Sequence, residues 1–408
     1  MPLSGQNLAA LSNRLLGVFN DNTFKSWESF AQLTRELGHI LREQGIPVDR
    51  IQFPLTKFAG FLHPTIATAL FTWTSEQDAI EEQTFTHDIL GSETGEEYLR
   101  VRLKQTPYYS LLFENKSVIH YSLTAAIPDI EVLPDLKQNG YYDYYAFRVS
   151  MANRKQVISF ATKHKEGFNK KRFLKTFALI KPILTLSLLT AYQVSLSVEV
   201  ANAYIGKRTA KRVLAGQIIR GSSSHLQAGI MFCDLRGFTR LNDTLGAQAT
   251  VVLINQVFEK VGEVLSQYPA EILKFIGDAM LILLPVEEFD SQEELRQAMY
   301  DIAVTATKEV DQLAQELKQE LSLGFGGNIG EVYYGNIGTG SRLDFTVMGP
   351  AVNKAARLES MCSRLQSNYV VSSEAFVEGA DFTFQGLRSL KGIKKRQQVY
   401  GLSLKELA

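Results

Sequence analysis

The chain has 408 residues, 45% of them hydrophobic, and its 43 Lys and Arg balance 43 Asp and Glu for a formal net charge of zero. That length allows two or three domains with their own cores. The charge balance offers no net field to attract nucleic acid or an anionic lipid surface, so neither is expected as a partner. Two cysteines, Cys233 and Cys362, make neither a disulfide framework nor a metal-binding spacing. They point to a reducing compartment and hence to a cytoplasmic location. No basic segment followed by an apolar one opens the chain, so no signal peptide is expected.

Residues 1–47 read as an N-terminal helical segment that ends at Gly45-Ile-Pro47. From 48 to 183 the pattern mixes strand and helix. Leu55–Trp73 and Ser117–Leu123 have strand character, Tyr141–Val149 with Val157–Thr162 reads as a hairpin, and a helix is expected from Asn169 through Lys181. The runs GYYDYYAFRVS, ISFAT and GFNKKRFLKTFALIKPIL resemble a GAF-type α/β sensory domain. Such a domain implies a small-molecule or ionic effector, which the sequence does not identify. Leu62–Trp73 and Tyr141–Phe147 could line a ligand cavity, but aromatics at strand spacing read first as core. His63, His87, His120 and His164 lack metal-ligand spacing, and no zinc or haem site is expected from them.

Residues 184–222 read as a helical connector entered at Lys181-Pro182. Ile183, Leu186, Ala191, Val194, Val198, Ala201 and Tyr204 form a seam at spacings of about three and four, which suits pairing with a second helix. Ile183–Ala201 approaches the length of a membrane span and holds one charge, Glu199. Its Thr185, Ser187, Thr190, Gln193, Ser195 and Ser197 argue for a buried or dimer-forming helix instead, and no span is expected. Gly221-Ser-Ser-Ser224 reads as a joint.

Residues 223–408 read as a third region: strand (226–233), helix (238–266), hairpin (271–284), helix (291–319), hairpin (322–336), strand (343–348), helix (350–364) and further strands. That order predicts an α+β domain, an antiparallel-rich sheet covered by helices. Two aspartates stand beside glycines at the ends of its apolar strands. Asp234 closes the run Leu226–Cys233 and is soon followed by Gly237; Asp278 follows Gly277 in a tight turn. Hard carboxylate oxygens on neighbouring strand ends suit Mg²⁺, and two such ions can activate an attacking oxygen while stabilising a departing phosphate. Taken singly, either aspartate would pass for a turn or cap residue.

A third element lies in RLDFTVMGPAVNKAARLES, where Pro350 suits the first turn of a helix. Asn353 and Arg357 then project from one helical face. An amide beside a guanidinium can position a ribose and neutralise charge on a phosphoryl group. In the alternative reading Arg357 pairs with Glu359 or another acid, and Asn353 faces water.

FCDLRGFT, KFIGDAM, GEVYYGNIG and RLDFTVMGPAVNKAARLE, in this order, resemble the catalytic domain of class III nucleotide cyclases from about Leu226 to Leu402. The resemblance implies a ferredoxin-like, palm-type fold and a reaction. The 3′-hydroxyl of ATP or GTP attacks its own α-phosphate, giving a 3′,5′-cyclic nucleotide and pyrophosphate. It implies that Asp234 and Asp278, with the Leu235 carbonyl, hold two Mg²⁺ or Mn²⁺ ions. Asn353 would orient the ribose, Arg357 would stabilise the transition state, and Lys391 would meet the terminal phosphates. Lys274 and Thr346 would read the purine. A lysine donor suits N1 of adenine, so the implied substrate is ATP; guanylyl enzymes generally place a glutamate there. The glycine-rich stretch Gly326–Gly340 would be a hairpin that lets two subunits close. Because the family completes each site from two subunits, the implied assembly is a homodimer with two shared sites. The chain departs from the pattern at Gly349-Pro-Ala-Val-Asn353, where Gly-Asp-Thr-Val-Asn is usual, and at Arg396, where a proline is usual. The remaining alternatives are a guanylate cyclase, against which Lys274 argues, and a catalytically silent nucleotide-binding regulator, in which a metal aspartate or the arginine would be missing.

Overall fold

The computed structural model describes residues 13–15, 28–57, 65–88, 100–101, 103–151 and 154–404. The chain divides into two compact units, one up to Ala203 and one from Tyr204.

In the first unit, helix α1 (Glu28–Glu43) places Phe30, Leu33, Leu37, Ile40 and Leu41 at helical spacing, and all five are buried. It precedes a six-stranded sheet in the order β3-β2-β1-β6-β5-β4, antiparallel at every pairing. The strands are β1 (Arg50–Lys57), β2 (Thr65–Thr74), β3 (Ala79–Asp88), β4 (Val118–Ser122), β5 (Asp143–Met151) and β6 (Arg154–Thr162), with short helices α2 (Tyr109–Leu112) and α3 (Leu133–Gln138) on either side of β4. Strand alternation sends neighbouring side chains to opposite faces. Tyr145 and Phe147 therefore enter one core with Phe53, Phe71, Trp73 and Phe160, while Tyr144 and Ala146 enter a second with Leu111, Leu133 and Leu136. Tyr141, Tyr144, Tyr145 and Phe147 are core residues here, and Tyr142 is half-buried. Of the Leu62–Trp73 stretch, 62–64 lie outside the described residues, as does His63.

The expected helix start at Pro182 is corrected. A single helix, α4, runs from Lys170 to Ile205 with Pro182 inside it. Phe173, Phe177, Ile180, Leu184, Leu188 and Tyr192 form one buried stripe that continues straight past the proline. Each such side chain contributes about 1.5–3 kcal/mol on burial. The three beyond Pro182 together outweigh the roughly 3 kcal/mol that an interior proline costs. Among the described residues α4 is the one helix long and apolar enough to cross a bilayer by length and composition. The segment 184–222 is not one rod: α4 ends at Ile205, Gly206 turns the chain (φ +79°), and α5 (Lys207–Leu214) begins.

In the second unit, α5 is fastened to the sheet. Arg208 pairs with Glu287 at 2.8 Å and with Glu288, its backbone nitrogen donates to Glu271, and the Thr209 and Tyr334 hydroxyls lie 2.6 Å apart. The main sheet has the order β13-β14-β12-β10-β7-β9-β8, with β11 paired to β10. Its strands are β7 (Ser223–Leu235), β8 (Glu271–Ile276), β9 (Ala279–Pro285), β10 (Leu323–Gly338), β11 (Leu343–Met348), β12 (Tyr369–Ser372), β13 (Thr383–Arg388) and β14 (Gln397–Leu402). The helices are α6 (Phe238–Leu245), α7 (Ala247–Leu265), α8 (Gln292–Leu317), α9 (Pro350–Glu359) and α10 (Cys362–Leu365).

The apolar run of β7 reflects burial on both faces. Met231, Cys233 and Leu235 pack with α7 and α8, whereas Ala228 and Ile230 pack with Val347, Ala351 and Ala355. Three expected elements differ, the first being the helix over 350–364, which divides at Ser360–Met361 into α9 and α10. The single helix over 238–266 is broken at Gly246, whose φ of +77° no helix accommodates. The expected hairpin over 322–336 is one continuous strand, β10; the reversal comes at Thr339–Arg342, between β10 and β11. Its glycines mark close approach instead of a turn. A Cβ at Gly326 would collide with the backbone nitrogen of Glu359 and lie 2.5 Å from the Ala355 carbonyl oxygen.

Candidate active site

The antiparallel register sets Asp234 of β7 opposite Ala279 of β9 and, on its other side, Gly324 of β10. The turn before Ala279 is Gly277-Asp278, made possible by a left-handed Gly277 (φ +66°). Asp278 is thereby delivered against Asp234. The Leu235 backbone nitrogen lies 3.4 Å from the Asp278 carbonyl oxygen. Burial first, and then the neighbouring Asp278, push the Asp234 carboxyl up to about 6.

A third carboxyl joins them. Glu359, at the C-terminal end of α9, is pushed up to about 7 by burial and by the charge of Asp234, against the opposing pull of Arg236. Among the described residues no ion pair joins Glu359 to Arg357, the partner the sequence offered; Arg236 is the cation beside it. Arg236 is itself held by the Ser367 carbonyl, and its Nε has no hydrogen-bond partner. Glu359 and Arg236 were missed from sequence. Their signal was position alone: Arg236 lies two residues after Asp234, and Glu359 two residues after Arg357.

Lys274 of β8 pairs with Asp344 of β11. Asp344 precedes Thr346 by two residues, so both lie on one face of β11, and the Thr346 side chain is buried there. The structure thus assembles Lys274, Asp344 and Thr346 as a second cluster. Asn353 and Arg357 share the exposed face of α9, opposite the Ala351, Ala355 and Leu358 face that packs inward. Lys391 is exposed in the turn between β13 and β14. No hydrogen bond or ion pair among the described residues ties the side chains of Asn353, Arg357 or Lys391 to the aspartates or to Lys274.

Residues 221–403 match the family model described as "Adenylate and Guanylate cyclase catalytic domain". The second unit carries a class III nucleotide cyclase domain. Cyclase domains of this class act on nucleotides, generally use divalent metals and typically dimerise. The cyclase domain of this chain is similar to an uncharacterized protein of Mycobacterium tuberculosis, 32% identical over 148 residues, covering 36% of this chain and 26% of that protein. It is also similar to the adenylate cyclase of Anabaena cylindrica, 26% identical over 160 residues, covering 37% of this chain and 30% of that protein. The chain thus spans between a quarter and a third of the length of these curated relatives. Among solved structures, an adenylyl cyclase from P. aeruginosa is 25% identical with a TM-score of 0.41, covering 44% of this chain and 95% of that one.

The cyclase domain's donor set fits a divalent pair. Two half-buried carboxyls in mutual contact, one of them pushed up to about 6, are a concentration of hard oxygen donors that a cation would relieve.

Proposed function

We propose that this chain converts ATP to 3′,5′-cyclic AMP and pyrophosphate, as a cytoplasmic homodimer with two shared sites. The observation that carries the reading is the meeting of Asp234 and Asp278, residues far apart in sequence, at one edge of a cyclase domain. Asp234, Asp278 and the Leu235 carbonyl would hold Mg²⁺ or Mn²⁺. When bound, two such ions supply activation of the 3′-hydroxyl and neutralisation at the α-phosphate.

The remaining work belongs to side chains. Lys274 donates a hydrogen bond to N1 of adenine, and the Thr346 hydroxyl accepts one from the exocyclic amino group. From the second subunit, Asn353 orients the ribose and Arg357 meets the charge that grows on the α-phosphoryl oxygens. Lys391 neutralises the terminal phosphates. The exposure of Asn353 and Arg357, with no hydrogen bond or ion pair to the aspartates among the described residues, supports this division, since an exposed amide and guanidinium can reach a partner's site. Residues 223–408 are the catalytic domain, 184–222 the connector and 48–183 a GAF-like sensory domain, following the helical segment 1–47. An effector bound by the sensory domain would act through α4 and α5 on closure of the two catalytic domains.

The test is product formation by the full-length protein with ATP or GTP, each with Mg²⁺ or Mn²⁺. Cyclic AMP that disappears in Asp234→Ala is the expected result. Cyclic GMP as the sole product would reassign the base pocket, and no product under any condition would favour a silent regulator.

A further inference from the structure

Lys274 and Thr346 occupy strands that no ladder aligns. β9, β7 and β10 stand between β8 and β11 in the sheet. At about 4.8 Å per strand a flat sheet would hold them roughly 19 Å apart. The ion pair between the Lys274 ammonium and the Asp344 carboxylate therefore marks where the sheet curls until these two edges face each other. Asp344 has no part in the scheme above.

We propose that Asp344 is a positioning residue for purine recognition, holding the Lys274 ammonium beside Thr346 so that selection of adenine over guanine depends on it. This rests on the base-pocket reading of Lys274 and deepens it. Lysine is a compact charge on a flexible four-carbon stem, so its position is not set by its own strand. It carries three N–H donors and no acceptor. One donor occupied by Asp344 fixes the ammonium and leaves the others to face a ring nitrogen that accepts. Adenine N1 accepts, whereas guanine N1 carries a hydrogen and would be opposed by an ammonium that cannot turn away. Asp344 and Thr346 project from the same face of β11, so one short segment presents both the anchor for Lys274 and the companion hydroxyl.

The pair is not placed to serve stability. The Asp344 side chain is 56% exposed and that of Lys274 27%; water screens such a pair strongly. Its geometric role is the one left.

The experiment compares Asp344→Asn, Asp344→Glu, Lys274→Ala and the double variant in the full chain, measuring kcat and KM for ATP and GTP, with melting temperatures recorded alongside. Asp344→Asn is expected to raise KM for ATP about tenfold with kcat within about threefold, and to lower the ATP-to-GTP ratio of kcat/KM. Asp344→Glu should restore part of that ratio, and the effects of Asp344→Asn and Lys274→Ala should be less than additive. An unchanged ratio in Asp344→Asn, with Lys274→Ala shifting it, overturns this inference and leaves the base-pocket reading standing. Additive effects in the double variant also overturn it. A ratio that Lys274→Ala leaves unmoved overturns both readings.

Discussion

Asp234 and Asp278 stand against each other because the register of β7 against β9 places Asp234 one position from the turn that carries Asp278. Burial and the neighbouring Asp278 oppose ionisation of Asp234. A cation bound there would relieve that cost, and Glu359 adds a third acid whose ionisation the same crowding opposes.

The first consequence is a pH dependence of stability. Asp234 and Glu359 hold their protons more tightly folded than unfolded, at about 6 and about 7 against ordinary values near 4. Their contribution to stability is fully present below the unfolded values and is lost as pH rises through 6 and 7. In chelator, the melting temperature of the cyclase unit should fall between pH 5 and pH 8 for this reason. Asp234→Asn should flatten that fall, and added Mg²⁺ should restore stability at pH 8 in the unsubstituted protein only. A melting temperature in chelator with the same slope in both proteins would count against the carboxyl cluster.

Division of the site between two subunits predicts complementation. Asp234→Ala and Arg357→Ala should each lower cyclic AMP formation by on the order of a hundredfold or more. Mixed and allowed to exchange subunits, they should recover about a quarter of the unsubstituted activity, since half of randomly paired dimers are mixed and each mixed dimer has one intact site. Inactive mixtures, with exchange verified by subunit labelling, would place the whole site within one chain.

The seating of α9 on β10 predicts a sharp cost at Gly326. An added methyl there meets the backbone of Glu359 and Ala355, which cannot rotate away. Gly326→Ala should destabilise the cyclase unit by about 1–3 kcal/mol in denaturant unfolding, and should lower activity because α9 carries Asn353 and Arg357. Gly340→Ala, where a Cβ has open space, is the control and should be silent in stability.

Local pattern carried a large part of the second unit. The apolar run before Asp234, the Gly-Asp turn and Pro350 at a helix start each declare their element through backbone preference and burial period. The stretch 322–336 misled because glycine serves two needs, turning the chain and admitting a neighbouring backbone, and sequence does not distinguish them. Pro182 misled for a related reason. Its local preference is to begin or break a helix, and only the aromatic stripe packed on the first sheet overrides it.

The sequence by itself determined which chemical groups are available: two aspartates at strand ends, an amide and a guanidinium on one helical face, and a lysine on an apolar strand. It also determined their local spacing, since the periods of strand and helix are properties of the backbone. Only the tertiary structure decided which groups meet. The ladder between β7 and β9 joins Asp234 to Asp278, the packing of α9 brings Glu359 to them, and the curl of the sheet brings Asp344 to Lys274. These are contacts between residues far apart in the chain, set by burial and register rather than by neighbouring residues, so no local pattern contains them.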